Sequence, residues 1–499
     1  MAASSATTAA TVVDLQAQID ALQANSAASI DVDAMWLMLT GVLVFFMQVG
    51  FAMLEVGSVA PKNTKSILIK NTVDTSICSI CWWLVGYGFA YGKSKGGFIG
   101  TSEFALLGPT FNNPAGGPAT PQIGYNWAFW FFSWTFAATS TTIVSGAIAE
   151  RVKVFAYLVY SVFVSALIYP VVVHGVWSAE GWASSENYGN LLMGCGSVDF
   201  AGSGGVHMVG GICSVVAAIV AKPRAGRFNA DGTVNKKPQQ SPALQTLGAL
   251  ILWCGWYGFN CGSTLTITGG RSAVAAVTAV NTTIAPSAGA CTTVILIRWL
   301  ENRFDSSVVN CGILAALVAI TAGCSVVSPA GAFTIGVIAG FVYVGSRKFL
   351  LMLRIDDVAE AAPVHLFGGI WGVFAAGLFA TEDNYAAAYP DPYDAGRPAR
   401  CKGLFYGGSG HLLAANVIYM LFILAWVGGI SLILFIGIKY TIGLRVSLQE
   451  EERGMDQTRR GSRKTSAAQP IRKAMAAASF DTRRSMGLDS YFTRSASSS

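Results

Sequence analysis

Apolar runs separated by short polar segments recur along the first 440 residues of the chain. Eleven stand out, near 35–57, 67–91, 127–149, 154–177, 199–221, 243–264, 272–297, 308–327, 332–350, 358–380 and 412–438. Each is about the 17–25 residues that a helix needs to cross a hydrocarbon core. The pattern predicts an all-α membrane protein of eleven transmembrane helices, with the break between 265 and 272 the least sharply marked. Outside these runs the periodicity changes. Residues 12–28 place Leu15, Ile19 and Leu22 on one helical face, which reads either as a short outer helix or as a disordered segment. Segment 381–411 is polar with Pro and Gly, as an outer loop is, and 451–499 is rich in Ser, Thr, Ala and Arg without periodicity. Three regions follow: an extracellular segment 1–33, a membrane domain 34–440 and a cytoplasmic tail 441–499, mostly disordered on its own after about 460.

Basic residues orient the spans, because cytoplasmic loops collect Lys and Arg. The first thirty residues have neither, which predicts an outer N-terminus. Lys62 and Lys65 then fall inside, Lys93 and Lys95 outside, Arg151 and Lys153 inside. Loop 222–242 carries Lys222, Arg224, Arg227, Lys236 and Lys237 and is cytoplasmic; Arg298, Arg303, Arg347, Lys348, Arg354 and the Arg-rich tail follow inside. An odd number of spans agrees with N-terminus out, C-terminus in. The same loop divides the spans into five and five, with an eleventh appended. A five-span unit has odd parity, so its second copy is inserted upside down, as in inverted-repeat transporters.

Composition agrees, with 53% hydrophobic and 12% charged residues against about 25% charged in an average soluble domain. The 55 glycines fit helices packed backbone to backbone. Eight of the ten cysteines fall within spans as small apolar residues, and Cys78-x-x-Cys81 lacks the second pair of a metal site. Cys195 and Cys401 lie in outer loops, and the sequence leaves open whether they bridge. The Asn281-Thr282-Thr283 sequon is inside a span, where glycosylation is not expected. No nucleophile–base pair or metal cluster points to an enzyme, and nothing implies a cofactor, a metal or a nucleic-acid partner.

Two intramembrane histidines carry the chemistry. His207 and His365 each lie eight residues after an aspartate, Asp199 and Asp357, in the last span of their respective halves. Ionisable side chains in a bilayer are costly and mark pathways for ions, protons or substrate. Eight helical residues rise roughly 12 Å, close to half a hydrocarbon core of about 15 Å, which puts both rings near the midplane. The flanking charges make the two spans antiparallel, so the imidazoles are able to meet. By contrast, His174 and His411 at helix ends read as structural, as do Asp74 and Glu55, which pair or cap locally. Glu360, one turn from His365, is a candidate for shaping the inner pore.

The motifs DFAGSGGVH (199–207), TFAATSTTIVSGAIAER (135–151), WYGFNCGS (256–263), DDVAEAAPVH (356–365) and GMDQTR (454–459) occur in that order along an eleven-span chain. Over residues 35–460 the chain resembles the ammonium transporter/methylammonium permease/Rh superfamily, and within it the plant-type AMT1 transporters. The resemblance implies high-affinity-type uptake of ammonium and methylammonium by a homotrimer with one pore per subunit, in a multi-pass protein of the plasma membrane. It makes His207 and His365 the twin pore histidines, and Phe136 and Phe259 the stacked outer gate. Trp177 and Ser263, joined by Phe132, become the recruitment vestibule. Asp199 becomes the buried aspartate of architecture and deprotonation, and Trp256 a pore-wall aromatic. Thr458 occupies the position of a tail phosphosite for a protein kinase, whose phosphate would add nearly two negative charges beside Arg459 and Arg460. The chain departs from the family at Arg460, Gly461 and Ser462, and at Leu366-Phe367, where glycines commonly follow the second histidine.

The residue types fit that assignment. Aromatic faces and a hydroxyl attract a small cation by about 0.5–2 kcal/mol per ring. A dry apolar pore rejects an ion that cannot shed its charge, whereas ammonium can cross as ammonia and a separate proton. The expectation is electrogenic transport. An Rh-like channel for neutral ammonia and an ammonium sensor with little flux are the competing readings.

Overall fold

The computed structural model describes residues 2–112 and 120–457, so Thr458 and the rest of the tail lie outside the described residues. Eleven long helical rods form among them: α1 (Ala2–Ser58), α2 (64–91), α3 (Pro121–Ala147), α4 (Val154–Trp177), α5 (Ser203–Ala221), α6 (Pro242–Gly262), α7 (Arg271–Glu301), α8 (Ser306–Thr321), α9 (Pro329–Met352), α10 (Ala362–Phe379) and α11 (His411–Thr441). Seven stretches, α4, α5, α7, α9, α10, α11 and the Asn25–Ser58 part of α1, are long and apolar enough to cross a membrane by length and composition.

Several helix starts are written locally. Thr120-Pro121, Ser241-Pro242 and Ser328-Pro329 each place a hydroxyl N-cap before a proline, and each hydroxyl accepts the backbone N–H three residues on. Proline at the first helical position lacks only an N–H that has no partner there, and its fixed φ suits the turn. Asp305 caps α8 likewise, accepting from Ser307 N at 3.1 Å.

Several boundaries differ from the apolar pattern, among them the start of α3 at Pro121 and the end of α8 at Thr321, and three are instructive. The short outer helix expected at 12–28 is continuous with the first span in α1. The fifth and tenth spans begin at Ser203 and Ala362 rather than at 199 and 358. The physical reason is the aspartates. Asp199 accepts from Gly204 N and from Gly205 N (2.7 Å), and Asp357 accepts from Ala362 N (2.7 Å), so the residues between stay outside the helix.

Those extended residues show how the halves fit. Phe200 N and Ala201 N donate to Ala322 O and Thr321 O at the end of α8, while Val358 N and Ala359 N donate to Ala147 O and Gly146 O at the end of α3. In a five-plus-five scheme α3 corresponds to α8 and α5 to α10, so the contacts are reciprocal, as an inverted repeat requires. Helices α5 and α10 run antiparallel. Arg224, after α5, bonds Asp356, before α10, while Cys195, before α5, is disulfide-bonded to Cys401, after α10. The question the sequence left open is thereby answered. The two helices touch through backbone. A Cβ on Gly211 would fall 2.3 Å from Leu366 N, and one on Gly369 would fall 2.6 Å from Ser203 O.

The end opposite the disulfide is basic and tightly tied. Arg224 pairs with Glu150 and Asp356, and Arg151 donates to the backbone carbonyls of Asp356 (2.6 Å) and Lys222 (2.9 Å). Burial alone would push the Asp356 carboxyl up, but the Arg224 guanidinium holds it well below the usual carboxylate range. The start of the tail docks on the same face. Glu451 pairs with Arg445 (2.7 Å), and Asp456 accepts from Lys65 N (2.9 Å) and Ser66 N (2.8 Å) at the start of α2.

Candidate functional site

Both histidines sit in the first turn of their helices, and in both places that turn is a wide π-helical one, Ser203–Met208 in α5 and Ala362–Phe367 in α10. Such turns interrupt the regular ladder and recur at functional sites. His207 is thus the fifth residue of α5 and His365 the fourth of α10, not eight residues into a helix as the aspartate spacing implied. The site nevertheless lies where α5 and α10 cross, because Gly211 and Gly369 bring their backbones into contact.

The imidazoles meet. His365 Nδ1 and His207 Nδ1 are 3.2 Å apart, with ring centroids at 5.2 Å and planes inclined by 22°. His207 is fully buried and His365 is 5% exposed. This contact restricts the proton inventory. A hydrogen bond between two Nδ1 atoms needs one Nδ1–H and one Nδ1 lone pair. In two neutral rings, the donor then has a bare Nε2 and the acceptor an Nε2–H. The pair therefore offers a passing molecule one acceptor and one donor, and the two roles exchange when the shared proton moves across together with proton uptake at the bare Nε2 and release from the other ring's Nε2–H. His207 Nε2 has no hydrogen-bond partner among the described residues. Trp256 flanks His207 in a stack (5.1 Å, 20°) and is anchored by its indole N–H on Thr321 Oγ1 at 2.8 Å.

Towards the disulfide end two stacked rings cover His207. Phe136 and Phe259 stack at 3.9 Å with planes 15° apart, and Phe259 lies 5.5 Å from His207. Above them opens a cavity whose walls include Phe132, Phe136, Trp177, Asp199 and Ser263. Trp177 meets the edge of Phe136 at 5.9 Å and is fixed by its indole N–H on Asp199 O at 2.8 Å. Ser263 Oγ donates to Phe259 O at 2.9 Å, which leaves its lone pairs for a ligand. Asp199 does not hang free in this cavity. Its carboxylate accepts the first N–H groups of α5 and the Tyr419 hydroxyl at 3.3 Å, so capping is its structural work.

On the other side of the histidines lies a smaller cavity walled by Phe51, Leu54, Ile143, Leu314 and His365, together with Glu55. Glu360, the sequence candidate for the inner pore, is instead engaged by Arg347 Nε (2.6 Å) and the Tyr343 hydroxyl. His174 proves structural, with Ala90 O and Ser94 Oγ at 2.9 and 2.8 Å. Asp74 accepts from Thr142 and Ser161, and Asn281 of the sequon donates to Cys324 O and Val327 O from inside α7. Thr321, Tyr419 and the cavity position of Glu55 escaped the sequence reading. The first two act across helices distant in sequence and leave no local signal, whereas Glu55 was visible as a carboxylate in an apolar span.

A family model, the Ammonium Transporter Family, matches residues 35–465. Ammonium transporter 1 member 2 of Oryza sativa subsp. japonica is 41% identical over 416 residues, covering 81% of this chain and 80% of the relative. Ammonium transporter 1 member 1 of the same plant is 42% identical over 419 residues, covering 82% and 80%. Among solved structures, a Sensor Amt Protein superposes with a TM-score of 0.74 at 32% identity, covering 86% of this chain and 98% of its own. With its fold, its histidine pair and these relatives in agreement, the chain is a multi-pass membrane protein that belongs to the ammonium transporter family.

Proposed function

We propose that the chain is an electrogenic, high-affinity-type transporter that takes up ammonium and methylammonium across the plasma membrane. In this reading all eleven rods cross the bilayer, with the N-terminus and the disulfide outside and the basic end inside. The observation that carries it is the 3.2 Å Nδ1–Nδ1 contact between the two cavities. Trp177, Phe132 and Ser263 collect the cation in the outer cavity, where ring faces and a hydroxyl oxygen match an ion that is both charged and a hydrogen-bond donor. Potassium gains only the first of these. Phe136 and Phe259 then admit ammonia to a passage where an unpaired charge is very costly. Ammonia meets one acceptor and one donor nitrogen on the histidine pair. The proton moves by the Nδ1–Nδ1 exchange, because two adjacent imidazolium rings oppose each other's ionisation. Ammonia and proton recombine on the inner side, so one positive charge enters per ammonium.

The subunits assemble as homotrimers, and a kinase acts on Thr458 to move the docked tail. The reading is tested by expression in yeast lacking its own ammonium transporters. The chain should restore growth on low ammonium, and variants of either histidine should change the ammonium-evoked current in oocytes. A protein that reaches the surface but restores no growth refutes uptake. The similarity to a protein titled as a sensor favours one second reading, ammonium sensing with little flux; tracer uptake matching that of a transporter excludes it. Methylammonium entry without current would instead favour an Rh-like neutral channel.

A further inference from the structure

The inner cavity holds a second ionisable group besides His365. Glu55 lies in the last turn of α1, is 2% exposed and lines that cavity. Phe51 and Glu55 share one face of α1, and Phe51 packs 6.2 Å from the His365 ring. Glu55 therefore stands about 6 Å further along α1 than Phe51, towards the basic end, and the small cavity that Glu55 and His365 both line is where water can join them. Ser145 holds one of the Glu55 oxygens, and the Asn71 side chain stands beside the carboxylate. Oε1 accepts the Ser145 hydroxyl, whereas Oε2 is buried with no partner among the described residues. What sets Glu55 apart is that it lines the same cavity as His365 while one of its carboxylate oxygens is buried without a partner among the described residues. Asp74 is the contrast, since each of its oxygens has a hydroxyl donor.

The surroundings allow Glu55 to hold a charge or a proton. Lys70 and Asp74 of α2 face it, with Asn71 and Ser145 as polar neighbours, and Glu150 and Arg151 act in turn on Lys70. Lys70 Nζ donates to Val152 O at 3.0 Å and stands over the Tyr157 ring at 5.8 Å, so its cation is fixed nearby. The remaining cavity wall is apolar or small, leaving Glu55 as the next proton acceptor after His365 in the direction of transport.

We propose that Glu55 is the exit station of the proton path. Its carboxylate takes the proton that leaves the histidine pair, becomes a carboxylic acid, and returns that proton to ammonia or water at the inner mouth. No electron moves and no other co-reactant is needed. The inference rests on the electrogenic reading above, and the test separates the two.

Current and labelled methylammonium uptake are measured in the same oocytes for the wild type, Glu55→Gln and Glu55→Asp, with surface protein quantified. Wild-type current accompanying tracer supports the parent reading; tracer without current in the wild type sinks that reading and this one together. With the parent reading intact, Glu55→Gln should retain tracer uptake while the charge moved per tracer falls by roughly a hundredfold, the weight of a positioned proton acceptor. An unchanged charge-to-tracer ratio overturns the assignment. If Glu55→Gln fails to reach the surface, Glu55→Asp, which withdraws the carboxylate by one methylene, carries the test. Its ratio should fall, and an unchanged ratio again overturns the proposal. A merely structural role would lower current and tracer in step and leave the ratio alone.

Discussion

The crossing of α5 and α10 makes one substitution unusually informative. A Cβ placed on Gly211 lies 2.3 Å from Leu366 N, 2.7 Å from Leu366 Cα and 2.9 Å from the His365 carbonyl carbon. All three are backbone atoms, so no rotamer change relieves the clash. An ordinary contact lies near 3.4 Å, and Gly211→Ala must therefore part the helices by about 1 Å, the overpacking that typically destabilises by about 1–3 kcal/mol. The same displacement acts on the residue before Leu366, which is His365. Adding it to the 3.2 Å Nδ1–Nδ1 separation takes the pair beyond hydrogen-bond reach. Misplacing reacting groups by about 1 Å costs roughly a hundredfold in rate, so transport should fall far more than stability. The assay is ammonium-evoked current and labelled methylammonium uptake alongside a thermal melt of the solubilised protein. Gly429→Ala serves as control, because a Cβ there meets nothing within 4 Å. If Gly211→Ala transports like the wild type, the histidine contact does not govern flux and the reasoning fails.

Three further outcomes follow from other parts of the structure. Ser263→Ala removes the one hydroxyl acceptor credited to the cation cup, and should raise the half-saturating ammonium concentration by about fivefold, the weight of one hydrogen bond of about 1 kcal/mol, with little change in maximal current. Asp356→Asn breaks a buried pair and should cost about 3–5 kcal/mol in thermal unfolding measurements. Because the folded-state Asp356 carboxyl lies below its unfolded value, its contribution is complete above the unfolded pKa of about 3.9 and is lost as pH falls below that. Wild-type melting should therefore show no Asp356-dependent slope from about pH 5 to 8, and such a slope would refute the ion-pair account. Reducing the Cys195–Cys401 bond should lower stability by about 2–4 kcal/mol, seen as a lower melting temperature under reductant that Cys195→Ser reproduces.

Much of this architecture was legible because a bilayer constrains sequence so strongly. Apolar length marked the rods, whereas the Ser/Thr-Pro pairs that start α3, α6 and α9 went unread, so those starts were placed at 127, 243 and 332 instead of at the prolines. The paired Asp–His spacing announced two related helices, and the flanking basic residues made them antiparallel. What spacing alone misjudged was the conformation between aspartate and histidine. Periodicity cannot distinguish a helical residue from one held outside the helix by a carboxylate that accepts its first N–H groups. Phe136 and Phe259 were legible only by resemblance, since two phenylalanines among 28 carry no mark of a stacked gate. Thr321 and Tyr419 were not legible at all, because each touches the site from another helix through a single hydrogen bond. Glu360 drew attention by its nearness to His365, yet Arg347, on a different helix, claims it.

The account turns on whether charge reaches the inside through the touching imidazoles. The most direct measurement is the charge moved per labelled methylammonium, taken simultaneously on the wild type and on His365→Ala at matched surface levels. One charge per tracer in the wild type, with a collapse of that ratio in the variant, is the predicted result. A variant that still carries one charge per tracer would contradict it.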